Sequence, residues 1–186
     1  ILTNQEHTIK KIIIASSRSI YGEGKYLCNN HGIIYPNERK DADMVSGNFN
    51  PICDKCDKKL ILKATDENSK IHPSSIYGIT KQQQEQMILL IGKTLKIPAV
   101  ALRYQNVYGP GQSLANPYTG ILSILSTRLL NGNDIDIYED GEESRDFVFI
   151  DDVVEATVLS LEKKEANHQI FNVGNGITKT VSEVAN

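Results

Sequence analysis

The stretch SIYGITKQQQEQMILLIGKTLKIPAVALRY, residues 75–104, predicts one long helix followed directly by one buried strand. Ser75 can cap the helix, and apolar side chains then recur at helical spacing, at Met87, Leu90, Ile91 and Leu95. Pro98 prevents the helix from continuing, and the apolar run 99–104 has the length of a strand buried in a parallel sheet. We therefore expect a helix at 75–96 and a strand at 99–104.

The flanking sequence continues this alternation of strands and helices. Short apolar, β-branched runs predict further strands, and periodic segments predict further helices. The strands are expected at 11–16, 134–138, 147–150 and 169–173, and the helices at 121–130, 151–162 and 181–186. Such alternation is typical of an α/β fold with a largely parallel sheet.

Composition and charge restrict the class of protein. The 186 residues are 40% hydrophobic and 23% charged, which is ordinary for a globular protein. The net charge of -3 argues against a nucleic-acid partner, and the apolar runs are too short to span a membrane. The chain has three cysteines and no visible signal peptide, so we expect reduced thiols and a cytoplasmic location.

Tyr77 and Lys81 form a Tyr-x-x-x-Lys motif at the start of the long helix. A spacing of four residues places both side chains on one helix face. A lysine ammonium beside a phenol favours the phenolate form, which can act as a general base near neutral pH. The motif alone is weak evidence, because tyrosine and lysine at this spacing also occur on ordinary solvated helix faces.

Polar residues follow two of the predicted strands. Ser16 and Ser17 end the first strand, and the sequence RYQNVYGPG, residues 103–111, ends the strand at 99–104. Open α/β sheets bind ligands at the carboxyl ends of their parallel strands. The alternative interpretation of the two serines is a simple transition from strand to loop. A third segment, SRDFV at 144–148, follows a turn.

Together and in this order, these segments resemble the extended short-chain dehydrogenases/reductases that act on nucleotide sugars. The resemblance covers nearly the whole chain except residues 21–75. It implies an α/β fold with an incomplete Rossmann-like parallel sheet, NAD as cofactor, a nucleotide-sugar substrate and a homodimer. The implied domains are a dinucleotide-binding part (1–20 and 76–108), an insertion (21–75) and a substrate-binding region with returning Rossmann elements (109–186).

The resemblance also implies roles for individual residues. Ser17 would hydrogen-bond the reacting sugar hydroxyl, Tyr77 would act as the base, and Lys81 would also hold the nicotinamide ribose. The other expected cofactor contacts are Ser16, Tyr104 and Gln105, the last of which stands where the family more often has phenylalanine. The expected substrate contacts are Asn106, the base-lining residues Ile137, Tyr138 and Glu139, and Arg145, whose guanidinium suits a diphosphate.

The family's G-x-x-G-x-x-G phosphate loop is absent from these residues. We therefore expect the complete protein to extend past both ends of this chain. Residues 1–8 would then be the tail of a helix that comes later than this loop in the full enzyme, and the 186 residues alone would be inactive.

The position two residues after Ser17 favours epimerisation. Related dehydratases and decarboxylases generally carry glutamate there, whereas this chain has Arg18 and Ser19. Neither side chain can act as the acid or base that expels a hydroxyl as water. This leaves oxidation and re-reduction of the sugar at C4 through a 4-keto intermediate. The alternatives are a nucleotide-sugar dehydratase or reductase, or a non-catalytic zinc-stabilised module derived from this fold.

All three cysteines lie in residues 21–75, the segment without periodicity. Cys28 and His31 form a C-x2-H pair, and Cys53 and Cys56 form a C-x2-C pair. Four N/S ligands suit tetrahedral structural zinc, so we expect a zinc-knuckle-like insertion; the alternative is three unrelated thiols and a surface histidine. The insertion resembles that of a family subset that includes dTDP-L-rhamnose 4-epimerases, which favours a dTDP-deoxysugar as substrate.

Overall fold

The computed structural model describes residues 7–113 and 120–186. Its strands are β1 (Ile12–Ser17), β2 (Lys25–Cys28), β3 (Gly32–Ile34), β4 (Ile61–Lys63), β5 (Ala99–Tyr104), β6 (Asn106–Tyr108), β7 (Ser144–Phe149), β8 (Ile170–Val173) and β9 (Thr178–Thr180). Its α-helices are α1 (Asp41–Val45), α2 (Ile76–Leu95), α3 (Ile121–Leu130), α4 (Ile150–Glu162) and α5 (Val181–Ala185). None of these helices is long and apolar enough to cross a membrane.

The chain forms two compact units. The first unit comprises Ile1–Glu38, Asn50–Tyr104 and Glu155–Asn172. The second unit comprises Arg39–Phe49, Gln105–Val154 and Val173–Asn186. Part of the 21–75 insertion therefore belongs to the second unit, although most of it belongs to the first.

The first unit is built on a three-stranded sheet in the order β1–β5–β8. β1 and β5 run parallel, with Ser16 opposite Arg103 and Ser17 opposite Tyr104. Residues 99–102 of β5 are at most 1% exposed, as expected for a strand covered on both faces. These observations confirm the two predicted strands and the parallel sheet.

Helix α2 packs on β1 and β5 and confirms the predicted helix. Ser75 caps its start by accepting a hydrogen bond from the backbone N–H of Gly78 (3.0 Å). At its other end Lys96 adopts a left-handed conformation with φ of 56°. A Cβ atom at Gly92 would come within 2.6 Å of the Ala99 Cβ, so the close approach of α2 to β5 requires a glycine there.

The second unit contains a sheet in the order β6–β7–β9, in which β6 is parallel and β9 antiparallel to β7. The predicted helices at 121–130 and 181–186 are confirmed as α3 and α5 of this unit. The predicted helix at 151–162 is confirmed as α4, whose residues from Glu155 onward belong to the first unit. The sequence pattern placed β7 only at 147–150 and missed β6 and β9, which have three residues each. Such short strands carry too few residues for a periodic pattern.

One predicted strand is wrong. Residues 134–138 form no strand, because side-chain contacts with α3 replace backbone pairing. The Arg128 guanidinium donates to the Asp134 carbonyl oxygen (2.9 Å) and forms an ion pair with Asp136. The expected helical tail at 1–8 lies mostly outside the described residues.

Residues 21–75 have an organisation of their own. In the first unit, β2 pairs antiparallel with both β3 and β4. Cys28, the last residue of β2, packs with Cys53 and Leu60 in a buried cluster. A short sheet with so small a core buries little apolar surface, which makes a further source of stability necessary.

Candidate functional site

Tyr77 and Lys81 lie in the first two turns of α2, on one face of the helix. The Lys81 Nζ atom lies 5.8 Å from the centre of the Tyr77 ring. It donates a hydrogen bond to the carbonyl oxygen of Ala15 (3.0 Å), near the carboxyl end of β1. Tyr77 is 56% exposed, so a ligand can reach its hydroxyl. The pair therefore lies where open parallel sheets bind their ligands.

Ser17 is the last residue of β1 and caps the 3-10 turn Arg18–Tyr21. Its Oγ accepts hydrogen bonds from the Ser19 backbone N–H (3.2 Å) and from the Ser19 hydroxyl (2.9 Å). These two bonds use the lone pairs of Oγ and leave its O–H as a donor. The turn thus fixes the Ser17 hydroxyl in place with a proton available to a ligand oxygen.

Gly78 allows α2 to lie against this turn. A Cβ atom at Gly78 would come within 2.6 Å of the Ser19 carbonyl oxygen and within 2.9 Å of the Pro73 Cβ. A larger residue would therefore push the first turn of α2, which carries Tyr77, away from the turn that begins at Ser17. Sequence reasoning placed Gly78 inside the motif but assigned it no role, because glycine leaves no trace in hydrophobic periodicity.

A buried polar cluster lies behind these residues. The Ser16 hydroxyl donates to Glu85 Oε2 (2.6 Å). Arg103 donates to the same carboxylate twice, at 3.1 Å to Oε2 and 2.6 Å to Oε1. All three residues are at most 3% exposed. Since adjacent side chains of a strand point to opposite faces, the Ser16 side chain points inward to this cluster, whereas that of Ser17 points to the other face.

Arg103 also binds both ends of the insertion. One of its nitrogens donates to the Tyr21 hydroxyl (2.6 Å) and to the Glu67 carbonyl oxygen (3.0 Å). Tyr21 in turn donates to Asn172 Oδ1 (2.9 Å). Burial raises the pKa of Tyr21 above its ordinary value, against the opposing effect of Arg103, so the phenol stays protonated. Sequence reasoning missed Arg103 and Glu85, although a charged side chain inside an apolar strand requires a partner.

Asn106 begins β6 in the second unit and lies opposite Phe147 of β7. Its Oδ1 atom is buried and has no hydrogen-bond partner among the described residues. A buried acceptor without a partner costs free energy, and a bound ligand can supply the missing donor. The side chain of the preceding residue, Gln105, lies close to Gly174, where an added Cβ atom would come within 2.6 Å of the Gln105 Cγ.

Arg145 lies near the start of β7, and its side chain is 24% exposed. Its guanidinium forms an ion pair with Glu143 and donates to the Ser144 carbonyl oxygen (3.2 Å). The Glu143 side chain is 46% exposed. Exchange of this exposed carboxylate for a ligand phosphate would keep the guanidinium paired with an anion.

Ile137, Tyr138 and Glu139 lie in the irregular segment before β7. Tyr138 is 79% exposed, whereas Glu139 adopts a left-handed conformation with φ of 59°. Glu139 forms an ion pair with Arg39 (2.6 Å), which comes from the insertion and belongs to the same unit. The ion pair anchors the segment and leaves the Tyr138 side chain open to solvent.

Cys28, His31, Cys53 and Cys56 come together in the first unit, with their ligand atoms all within 4.8 Å of one another. His31 Nδ1 lies 3.5 Å from the sulfur atoms of Cys28 and Cys53. The sulfur atoms of Cys28 and Cys56 lie 3.7 Å apart. A tetrahedral zinc ion bound at about 2.3 Å to sulfur and about 2.1 Å to nitrogen requires S–S separations of about 3.8 Å and N–S separations of about 3.6 Å. The observed separations agree with that geometry.

Two tight backbone turns produce this arrangement. The His31 N–H donates to the Cys28 carbonyl oxygen (3.2 Å), and the Cys56 N–H donates to the Cys53 carbonyl oxygen (3.2 Å). Burial on its own raises the pKa of the Cys28 thiol, but hydrogen bonds from the Asn30 backbone, His31 and the other two cysteines lower it to about 6. The thiolate form that results is the form that binds metal ions.

The structure distributes the predicted residues over both units. The first unit holds the metal-ligand set. It also holds the candidate catalytic and cofactor residues Ser16, Ser17, Tyr77, Lys81 and Tyr104. Tyr104 ends β5, and its hydroxyl lies 2.9 Å from the Thr157 hydroxyl. The second unit holds the remaining expected contacts, which are Gln105, Asn106, Ile137, Tyr138, Glu139 and Arg145.

The mixed α/β fold with its parallel sheet is that of Rossmann-like enzymes. A family model described as the NAD dependent epimerase/dehydratase family matches residues 52–174. This chain belongs to the NAD-dependent epimerase/dehydratase family.

Individual relatives agree with this family. A dTDP-L-rhamnose 4-epimerase of Burkholderia thailandensis is 35% identical over 177 residues, which cover 95% of this chain and 47% of the relative. A UDP-N-acetyl-alpha-D-glucosaminuronate decarboxylase of Bacillus cytotoxicus is 31% identical over 177 residues, which cover 95% of this chain and 44% of the relative. The solved structure of UDP-glucose 4-epimerase with UDP-glucose from Thermotoga maritima matches with a TM-score of 0.71 at 30% identity, covering 96% of this chain and 46% of that chain. This chain thus spans a little under half the length of these relatives.

Proposed function

We propose that this chain carries the catalytic residues of an NAD-dependent enzyme that epimerises a nucleotide-linked sugar at C4. The observation that carries the proposal is the position of Tyr77 and Lys81 at the carboxyl end of β1, close to the turn that holds Ser17. Tyr77 is the base for the C4 hydroxyl proton. Ser17 donates a hydrogen bond to the same sugar oxygen, and Lys81 places a positive charge beside the Tyr77 ring.

In the proposed reaction, Tyr77 takes the proton of the sugar hydroxyl as the C4–H bond breaks. Bound NAD would supply the hydride chemistry at C4, and Ser17, Tyr77 and Lys81 would hold the sugar oxygen and move its proton. Tyr77 then returns the proton to the oxygen at C4. Each atom that leaves C4 therefore comes back to it, and only the configuration changes.

The residues of the first unit fit a nicotinamide cofactor. A lysine ammonium has three donors, and the described contacts of Lys81 use one of them for Ala15, which leaves donors for a ribose. We assign the remaining cofactor contacts to the Ser16 backbone, Tyr104 and Gln105. We also assign residues 1–20 and 76–108 to the dinucleotide-binding domain. We propose that these 186 residues alone do not turn over substrate, because they contain no G-x-x-G-x-x-G phosphate loop.

The second unit supplies the proposed substrate contacts, and all of them except Asn106 lie in the proposed substrate-binding region at 109–186. Asn106 Oδ1, which has no hydrogen-bond partner in the part of the chain that the structure describes, accepts a hydrogen bond from the sugar. Arg145 binds the diphosphate, and the segment Ile137, Tyr138 and Glu139 lines the nucleotide base. The similarity to a dTDP-L-rhamnose 4-epimerase favours a dTDP-deoxysugar as the substrate.

Epimerisation fits the turn after β1 better than dehydration. Arg18 and Ser19 follow Ser17, so this turn offers no carboxylate to expel a hydroxyl as water. A reductase would consume one equivalent of reduced cofactor for each product molecule, whereas an epimerase regenerates its cofactor. The three classes therefore differ in water loss and in cofactor consumption.

The test is product analysis with the full-length protein that carries this chain, incubated with dTDP-L-rhamnose and NAD in D2O. We expect a product of unchanged mass with inverted configuration at C4 and no deuterium at C4, because the hydrogen returns to the carbon that it left. Loss of water, consumption of added reductant, or deuterium at C4 would each contradict the proposal.

We further propose that Cys28, His31, Cys53 and Cys56 bind one structural zinc ion. Their separations fit a tetrahedral ion, and four protein ligands leave no position for water or substrate. The insertion buries little apolar surface, so metal binding is the available means of ordering it.

The protein purified without chelator should contain about one zinc per chain. Cys53→Ser should lose the metal, and Lys55→Ala, on the same turn, should keep it; a metal-free protein with an ordered insertion would contradict the site.

Two further assignments concern the setting of the enzyme. The three cysteines are free thiols, which agrees with a cytoplasmic location. We propose a homodimer formed through α2, which exposes Met87 (54%) and Leu90 (66%) beyond the catalytic pair. Leu90→Glu should convert the dimer to a monomer in light scattering, and a protein that is already monomeric would exclude this interface.

A further inference from the structure

Glu85 and Arg103 form an ion pair inside the first unit that the proposed chemistry does not use. Their side chains are 3% and 1% exposed, and the closest N–O distance is 2.6 Å. Burying two charges costs desolvation energy that their attraction often fails to recover, so such a pair is weak evidence of stability. Its presence beside the catalytic elements therefore needs another reason.

The pair connects the elements that carry the proposed catalytic residues. Glu85 follows Lys81 by four residues and Tyr77 by eight, so all three lie along one stripe of α2. On β1, the Ser16 hydroxyl donates to Glu85 Oε2 (2.6 Å), and Ser16 is bonded directly to Ser17. One carboxylate thus fixes the rotation of α2 relative to the end of β1.

Arg103 lies on a third element, β5, and connects it to α2 and to the turn after β1. Its planar guanidinium holds both Glu85 oxygens and can do so in only one orientation. It also donates to the Tyr21 hydroxyl, at the end of the turn that Ser17 caps. The turn that holds Ser17 and the helix that holds Tyr77 are therefore tied to the same guanidinium.

Arg103 and Tyr21 also form hydrogen bonds near both ends of the insertion. Tyr21 stands where the insertion leaves, and the Glu67 carbonyl oxygen accepts from Arg103 (3.0 Å) near where it returns. Asn172 on β8 accepts from Tyr21 (2.9 Å) and donates to the Thr65 carbonyl oxygen (3.0 Å). The anchor points of the insertion are thus bonded to the buried pair.

We propose that Glu85 and Arg103 are positioning residues, which set the distance and angle between Ser17 on β1 and Tyr77 with Lys81 on α2, and that Tyr21 extends this control to the ends of the insertion. This rests on the proposed function of Ser17, Tyr77 and Lys81. Neither charged residue touches the substrate. Their effect on turnover is geometric, and misplacement of a reacting group by about 1 Å can cost roughly a hundredfold in rate.

The deciding variant replaces both charges at once, as Glu85→Leu with Arg103→Met in the full-length protein that carries this chain. Apolar side chains of similar volume can replace a buried ion pair with little loss of stability, so this variant should fold. Tyr21→Phe is the milder second variant, because it removes one hydroxyl and keeps the ring. The control is Val100→Ala, which weakens the same buried strand but leaves every bond of the ion pair intact.

Four readouts separate positioning from a merely structural role. The first two are kcat and KM for the nucleotide sugar. The third is the kinetic isotope effect with substrate deuterated at C4, which rises when hydride departure becomes limiting and does not change when fewer molecules are folded. The fourth is amide hydrogen exchange of residues 17–21 and 76–81 without substrate.

For the double variant we expect kcat to fall by about 10- to 100-fold with KM changed by less than about threefold, a larger isotope effect, and faster exchange in both segments. Tyr21→Phe should show the same changes at smaller size, and Val100→Ala should show none of them. A folded double variant, or Tyr21→Phe if the double variant does not fold, with normal kcat, isotope effect and exchange would overturn the proposal.

The proposed function fails separately. If Tyr77→Phe retains turnover, Tyr77 is not the base and the catalytic assignment is wrong, whatever the positioning variants do. If Tyr77→Phe is inactive and the double variant turns over normally, only the positioning role is wrong.

Discussion

Removal of Glu85 alone should be among the most destabilising single substitutions in the first unit. Glu85→Leu leaves the Arg103 charge buried and deprives it of two hydrogen bonds, at 2.6 and 3.1 Å. Hydrogen bonds to charged groups contribute roughly 1.5–3 kcal/mol each, which gives about 3–6 kcal/mol for two. This agrees with the roughly 3–5 kcal/mol lost when one partner of a buried ion pair is removed.

Urea unfolding of the wild type, both single variants and the double variant Glu85→Leu/Arg103→Met forms a double-mutant cycle. We expect the double variant to lie within about 1–2 kcal/mol of the wild type, because no unpaired charge remains. The control is Asp136→Asn, which breaks the exposed ion pair with Arg128 and should cost at most about 1 kcal/mol. Single variants no less stable than this control would refute the reasoning.

Three further predictions concern the site and the insertion. Gly78→Ala should lower kcat at least about tenfold, because its Cβ would meet the Ser19 carbonyl oxygen at 2.6 Å. This loss is expected even though alanine favours helices by roughly 1 kcal/mol. Normal kinetics of the variant would show that the turn after β1 can move aside without effect on catalysis. Arg145→Lys should raise KM by about tenfold or more, since a lost charge-assisted bond is worth roughly 1.5–3 kcal/mol; an unchanged KM would mean that Arg145 serves its ion pair with Glu143. Cys53→Ser should make β2 and β4 exchange their amide protons faster and prevent zinc from restoring protection, whereas equal protection with and without metal would show that the insertion orders itself.

The main elements of the fold could be predicted from the sequence because their patterns are long. The strand 99–104 and the helix 121–130 have the predicted bounds. β6 and β9 could not be predicted, since three residues show no period and their place depends on β7. The strand expected at 134–138 failed because its alternating residues are held by Arg128 rather than by a neighbouring strand.

The candidate site could be predicted only in part. Spacing within one helix places Tyr77 beside Lys81. Two short-spaced pairs in the one segment without periodicity predicted a cluster of all four residues, in which Cys28 meets Cys56 across 28 residues. Glu85 and Arg103 were missed because their partners lie on different elements. The signal that could have revealed them is a lone arginine in the apolar run 99–104, which demands a buried acceptor.

The most direct test of the central claim is the turnover of dTDP-L-rhamnose by the Tyr77→Phe variant of the full-length protein. The substitution removes one hydroxyl from a side chain that is 56% exposed, so folding and NAD binding should persist. Loss of a general base typically costs about 10²–10⁴ in rate, and we predict a fall of at least about a hundredfold in kcat. Tyr35→Phe serves as a control for the same chemical change elsewhere and should be fully active. Turnover by Tyr77→Phe at a rate near that of this control would contradict the account.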